Sequence, residues 1–180
     1  MLEKFVSVFP SSMPLSTNAE EFFLLMLDSR CGDCSNDLIF RKIIIGEGSG
    51  IAGSMDIPVE VSLENPADRI KGIQLDICDV DDYLIYTGCE ITDRTVGFTC
   101  STSEIDNGCC CVMLFSLTGS LIEIEKGFIF TLKYDVSNVA PQGECRNLIP
   151  ENLIVYYEYN QFLELSSVSG EFCFFSRVES

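Results

Sequence analysis

The chain has 180 residues, of which 47% are hydrophobic, and its 28 acidic and 11 basic side chains leave a net charge of −17. With so few basic side chains, the protein is poorly suited to neutralise nucleic-acid phosphates or to bind an anionic membrane surface, and neither partner is expected. The sequence also contains no histidine and no tryptophan. Without histidine the commonest general base and the Ser–His and Cys–His nucleophile pairs are missing, so we do not expect an enzyme.

Residues 1–37 form an N-terminal extension that differs from the rest of the chain. Thr17 and Glu20 have the spacing of a capping box and predict a short helix that ends near Leu27. Its apolar run, Phe22–Leu27, is expected to pack on the following domain or on a partner, which includes self-association. The run is short and has little basic sequence before it, so it is not typical of a signal peptide.

From Leu38 onward the hydrophobic pattern changes to a period of two. Between Met55 and Leu63, apolar residues alternate strictly with polar ones, which predicts a strand with one buried face. Pro58 lies within this strand and cannot donate to a ladder, so we expect an edge or a bulge there. The next strand, Ile70–Ile77, alternates as well and predicts that Ile73, Leu75 and Ile77 face the core.

Further strand-like runs follow at short intervals, separated by glycines or polar clusters, with almost no helical periodicity. This pattern predicts an all-β fold, a sandwich or a barrel, for residues 38–180. We favour a two-sheet antiparallel β-sandwich that follows a short N-terminal helical segment. The remaining predicted strands are Phe40–Ile45, Tyr83–Tyr86, Cys89–Ile91, Val96–Cys100, Cys110–Leu117, Phe128–Tyr134, Leu153–Tyr159, Phe162–Val168 and Phe172–Phe175.

Ten cysteines are present, and their spacing shows no compact disulfide framework. Cys78, Cys111 and Cys173 lie inside strand-like runs, where a free thiol behaves as a small buried hydrophobe. We therefore expect most of the cysteines to be reduced and few to pair.

The segment Cys31-Gly32-Asp33-Cys34 favours a local disulfide or two plain thiols. A redox dithiol, or a zinc site shared with Cys109 and Cys111, is an alternative. Cys109 and Cys111 could contribute together because residues two apart in a strand share a face.

Carboxylates cluster in the turn that follows the Ile70–Ile77 run. Asp79, Asp81 and Asp82 supply hard oxygen ligands of the type that Ca²⁺ takes, although the segment lacks the glycine and the terminal glutamate of an EF-hand loop. A solvated acidic turn is the favoured interpretation, and the segment is the best cation candidate in the chain. No other cofactor is indicated.

Aromatic residues near the C-terminus suggest a second kind of ligand. Tyr156, Tyr157, Tyr159 and Phe162 could form a platform for sugar rings. Because tryptophan is absent, core packing or cross-strand pairing is the favoured explanation.

The order of several segments carries a resemblance to a known family. Ile57–Asn65 and Ile70–Ile77 are followed by Val112–Leu117, then by the long run Ile124–Val136, and Ser169–Phe172 closes the pattern. This arrangement resembles the cohesin family, which consists of jelly-roll sandwich modules related to carbohydrate-binding modules. The resemblance extends from Leu38 to Phe175.

The resemblance implies a non-catalytic docking module, extracellular or at the cell surface, in which one sheet face receives a helical dockerin partner. By position, Gly72, Gln74 and Asp76 would lie on that face. The alternative function is a sandwich that binds a carbohydrate or calcium.

Overall fold

A computed structural model describes residues 41–79, 81–105, 108–158, 162–163 and 165–176. The predicted N-terminal helix, the predicted domain boundary before Leu38, and Cys31 and Cys34 lie outside these residues. The described part of the chain consists of strands, turns and one short 3-10 helix, Asp93–Thr95. The strands are β1 Lys42–Ile45, β2 Gly48–Ile51, β3 Ile57–Glu64, β4 Ile70–Asp79, β5 Leu84–Ile91, β6 Thr99–Ile105, β7 Cys109–Phe115, β8 Lys126–Val136, β9 Glu144–Tyr157, β10 Phe162–Leu163, β11 Ser166–Val168 and β12 Gly170–Phe175.

The described strands form two sheets. The smaller sheet has the order β11-β1-β3-β8-β5, and the larger has the order β2-β12-β9-β4-β7-β6, with β10 beside β9. Strand pairs are antiparallel except β1 with β11 and β2 with β12, which are parallel. The predicted all-β sandwich with jelly-roll topology is confirmed, and the two parallel pairs are the departure from fully antiparallel sheets.

The core lies between the sheets, where strands of both present alternating apolar side chains. Val59, Val61 and Leu63 of β3 are fully buried, as the alternation predicted. Pro58 pairs with Lys133 of β8, whereas the pairs of β3 with β1 begin only at Val61. The proline therefore lies on a locally unpaired edge of a strand that is otherwise internal to its sheet, which removes the need for an N–H donor there.

β2, Gly48–Ile51, is not among the predicted strands, and it lies in the other sheet from β1, which directly precedes it in the chain. A Cβ atom at Gly48 would lie 2.5 Å from the Phe172 ring and 2.9 Å from Val59. Glycine is required there for close approach to the core, and the same lack of side chains makes the segment resemble a loop in the sequence.

Candidate partner-binding face

β4 lies in the middle of the larger sheet, between β9 and β7. Ile73, Leu75 and Ile77 point into the core and are at most 3% exposed. The alternation of the strand then directs Gly72, Gln74 and Asp76 to the opposite face. The structure thus brings the three predicted contact residues together on one sheet surface.

The pairing of β4 with β7 and β9, and of β7 with β6, extends this surface across four strands. Gly72 lies between Phe115 of β7 and Tyr156 of β9, and Gln74 lies between Met113 and Ile154. We call the outward-facing residues of these rows the front face: Thr99, Ser101 and Ser103 of β6, Cys111, Met113 and Phe115 of β7, Gly72, Gln74 and Asp76 of β4, and Glu151, Ile154 and Tyr156 of β9.

Apolar side chains on the front face are open to solvent on both sides of β4. Met113 is 39% exposed and Tyr156 is 41% exposed. Gly72 is buried, and a Cβ atom there would lie 3.3 Å from the Leu114 carbonyl oxygen. The glycine therefore places no side chain between the Phe115 and Tyr156 positions on the front face.

The central rows of the front face carry little charge. Asp76 is 7% exposed, and its Oδ2 accepts a 2.6 Å hydrogen bond from Asn152 Nδ2. Burial, followed by a hydrogen bond to Asp76 and the charge of that carboxylate, raises the pKa of the neighbouring Cys111 thiol. The thiol is therefore kept neutral beside the carboxylate.

The outward face of the smaller sheet, which we call the back face, exposes the apolar Phe128 and Ile85 but also carries several ion pairs. Glu64 Oε1 lies 2.6 Å from Lys126 Nζ, and Glu64 Oε2 lies 3.5 Å from Lys42 Nζ. Lys133 and Glu90 form a further ion pair at 3.4 Å. Such exposed ion pairs are typical of a solvated surface. The front face, whose rows around Gln74 are partly apolar and carry fewer charges, is the better candidate for a protein interface.

The structure does not gather the predicted calcium residues around a common point. Asp79 is 3% exposed, and its Oδ2 accepts hydrogen bonds from the backbone N–H groups of Tyr83 and Leu84. Asp81 forms an ion pair with Arg146. Asp82 has a positive φ of 55° in the turn between β4 and β5. Calcium binding at this turn stays a prediction.

Only part of the predicted aromatic platform falls in the described residues. Tyr156 is exposed on the front face, whereas Tyr157 is half-buried and packs against the core. The two rings therefore face opposite sides of β9. Tyr159 and the side chain of Phe162 lie outside the described residues, and sugar binding stays a prediction.

The expectation that most cysteines are reduced is wrong. Among the described residues, disulfides join Cys78 to Cys109, Cys89 to Cys100, and Cys145 to Cys173, while Cys110 and Cys111 are free. Cys78 and Cys173 had been expected to be free thiols in strands. Each instead lies directly opposite a second cysteine in the sheet register, a relationship that linear spacing does not show.

The disulfides also bear on the metal alternatives. Cys109 and Cys111 do share a face, with Cys110 buried between them, but Cys109 is bonded to Cys78 and cannot ligate zinc. Cys145, Cys173 and Glu171 form a further cluster with metal-ligand spacing, but its two thiols are joined as well.

No described helix has the length and apolar character needed to span a membrane.

Comparison with known proteins identifies the fold. No family model matches the chain, and no curated protein matches it by sequence. Solved structures do match. The third ScaC cohesin of Acetivibrio cellulolyticus, solved in complex with the ScaB dockerin, is 18% identical with a TM-score of 0.64, over 76% of this chain and 100% of that one.

Two other solved structures agree. The OlpA cohesin of Clostridium thermocellum, solved with a dockerin, is 19% identical with a TM-score of 0.64 and covers 75% of this chain and 99% of its own. A non-cellulosomal cohesin of the archaeon Archaeoglobus fulgidus is 19% identical with a TM-score of 0.61, over 76% of this chain and 92% of that one.

The described domain is a jelly-roll β-sandwich with a partly apolar front face. More particularly, its fold is cohesin-like, as the order of the sequence segments had indicated.

Sequence reasoning identified the β4 residues of the front face but missed those of β7. Met113 and Phe115 alternate with the buried Val112 and Leu114. This alternation of buried and exposed residues is visible in the sequence as a hydrophobic period of two. It could not show which sheet the strand joins, and so it did not place these residues beside Gln74.

Proposed function

We propose that the protein is a non-catalytic docking module that binds a helical, dockerin-like protein partner through the front face. The observation that supports this most directly is the contrast between the two outer sheet surfaces. The front face exposes Met113 and Tyr156 around the half-buried Gln74, whereas the back face carries ion pairs. Interfaces are depleted of charge at their centre and enriched in aromatic residues and methionine.

The fold supports the same partner class. Of the three cohesins compared above, those of Acetivibrio cellulolyticus and Clostridium thermocellum were solved in complexes with dockerins. A surface-exposed or extracellular location is part of the proposal, because disulfides persist in oxidising compartments.

The test measures binding of the protein to a panel of recombinant dockerin modules that includes those encoded in the same genome. The variant Met113→Arg places a charge at the centre of the front face and should weaken binding at least about tenfold, because a buried interface centre tolerates an unpaired charge poorly. Thr131→Arg is the matched control. It lies on the back face between Glu60 and Glu90, and binding should be unchanged.

The panel separates two kinds of failure. If no dockerin binds the unmodified protein, the proposed partner class is wrong. If a dockerin binds and both arginine variants bind it equally well, the partner class stands and the assigned face is wrong.

A further inference from the structure

A small cavity of about 10 Å³ lies between the two sheets at the end of β4. Its lining includes Asp79 and Cys110 from the larger sheet, and Leu84, Tyr86 and Tyr134 from the smaller sheet. The cavity therefore spans the interface between the sheets on the core side of β4, away from the front face.

Two buried polar atoms belong to residues that line this cavity. Asp79 Oδ1 and Tyr134 Oη are shielded from solvent and have no hydrogen-bond partner among the described residues. Asp79 and Tyr134 are each 3% exposed. Buried polar groups in folded proteins nearly always have partners, so two such atoms beside one cavity call for an explanation.

The orientation of Asp79 is fixed by its other carboxylate oxygen. Oδ2 accepts hydrogen bonds from Tyr83 N at 2.7 Å and from Leu84 N at 2.9 Å. Oδ1 is therefore the carboxylate oxygen left to accept a further hydrogen bond. Burial raises the pKa of Tyr134, so its hydroxyl keeps its proton and can act as a donor.

We propose that this cavity holds one internal water molecule that links Tyr134 of the smaller sheet to Asp79 of the larger sheet. The water accepts a hydrogen bond from the Tyr134 hydroxyl and donates one to Asp79 Oδ1. A site for one water needs roughly 10–15 Å³ and two to four polar partners, and this cavity provides both. Asp82 and Glu104 also line it and offer acceptors for the second hydrogen of the water.

A calcium ion fits the same cavity poorly. Calcium takes roughly six to eight oxygen ligands, whereas one oxygen of Asp79 is already used by two backbone amides. Asp79, Asp82 and Glu104 also do not form a group of ligand atoms within 4.8 Å of one another in the described structure.

The test is a high-resolution crystal structure of the 180-residue protein, grown with EDTA, together with two isosteric variants. A water peak within hydrogen-bond distance of both Tyr134 Oη and Asp79 Oδ1 supports the proposal. Tyr134→Phe should lose that peak. Tyr86→Phe, which alters another tyrosine of the same cavity, should retain it.

Three results would overturn the proposal. The first is a direct hydrogen bond between Tyr134 and Asp79 with no density between them. The second is a peak that persists unchanged in Tyr134→Phe. The third is density that appears only in crystals grown with CaCl₂ and has the short oxygen distances of a cation.

Discussion

Asn152 donates a 2.6 Å hydrogen bond to Asp76 across the β4–β9 pair, next to the register shift between Gln74 and Asp76. Asp76 was predicted as a contact residue, yet it is 7% exposed and already has a partner. Its role in docking therefore stays a prediction, and the structure gives it a stabilising role within the sheet. Gln74 and Met113 are the better positions at which to test binding.

Replacing Asp76 with alanine should lower the free energy of unfolding. The change leaves the Asn152 amide without its acceptor, and a lost side-chain hydrogen bond with a charged group costs about 1–3 kcal/mol. Gln74→Ala, two residues away on the same face, should change stability by less than about 0.5 kcal/mol. Urea unfolding of both variants measures this difference, and equal losses would remove the special role of the Asp76–Asn152 pair.

Arg94 should be a second determinant of stability. Its guanidinium donates to the carbonyl oxygens of Leu63 at 2.8 Å, Gly127 at 2.9 Å and Glu125 at 2.6 Å, and it also bonds the Asn65 side chain. A single ammonium group cannot reproduce this planar set of donors. We therefore expect Arg94→Lys to lose about 2 kcal/mol of unfolding free energy.

Arg69→Lys is the control for Arg94, because Arg69 lies at the surface and its ion pair is with a single carboxylate, that of Glu158. This variant should stay within about 0.5 kcal/mol of the parent in thermal or urea unfolding. A loss at Arg69 as large as that at Arg94 would contradict the structural role given to the Arg94 hydrogen-bond network.

The Cys89–Cys100 disulfide joins β5 of the smaller sheet to β6 of the larger one. Its loop spans a sequence separation of 11 residues. Closing such a loop in the unfolded chain corresponds to about 3 kcal/mol of stabilisation. The Cys89→Ser/Cys100→Ser double variant should therefore unfold at a lower urea concentration. Non-reducing peptide mapping of the parent first verifies the three disulfides of the described residues. Free thiols at Cys89 and Cys100 in the parent would contradict this assignment.

Cys110 and Cys111, the free thiols among the described residues, should differ in their reactivity toward iodoacetamide. Burial raises the pKa of Cys110 to about 12, and the thiol lies in the core, so it should react only after unfolding. Cys111 is half-buried and its pKa is also raised, so a smaller fraction is thiolate near neutral pH than in an ordinary thiol. Labelling of Cys111 should therefore increase as the pH rises above the usual thiol range.

Asp76→Asn tests the part that Asp76 plays in raising the pKa of Cys111, beside the larger effect of burial. Removing the neighbouring negative charge should lower the pKa of Cys111, which means faster labelling at a given pH. Peptide mass spectrometry of time points distinguishes Cys110 from Cys111. Unchanged labelling of Cys111 in the variant would show that the carboxylate does not set its pKa.

Much of this fold could be predicted because its central strands are amphipathic. The alternation in β3 and β4 indicates the buried face directly, and Ile73, Leu75 and Ile77 lie where it places them. The predicted run Leu153–Tyr159 captured only the C-terminal part of β9, Glu144–Tyr157. The first half of β9 contains Arg146 and Pro150, and its polar pattern resembles a loop.

The remaining features depend on register, which one sequence does not reveal. The Cys78–Cys109 bond requires β4 and β7 to pair so that these residues are opposite each other. The front face requires the same pairing to bring Met113 beside Gln74. A shift of one residue in β7 would turn Met113 toward the core and Val112 outward, and local patterns alone do not specify which strands meet.

Hydroxyl-radical footprinting of the protein, free and bound to a captured dockerin, tests the docking proposal most directly. Met113 and Tyr156 are exposed on the front face, whereas Met55 at 71% and Phe128 at 50% are exposed elsewhere and serve as internal controls. We predict that the partner protects Met113 and Tyr156 from oxidation while labelling of Met55 and Phe128 is unchanged. Protection of Phe128 with continued labelling of Met113 and Tyr156 would contradict the assignment of the front face.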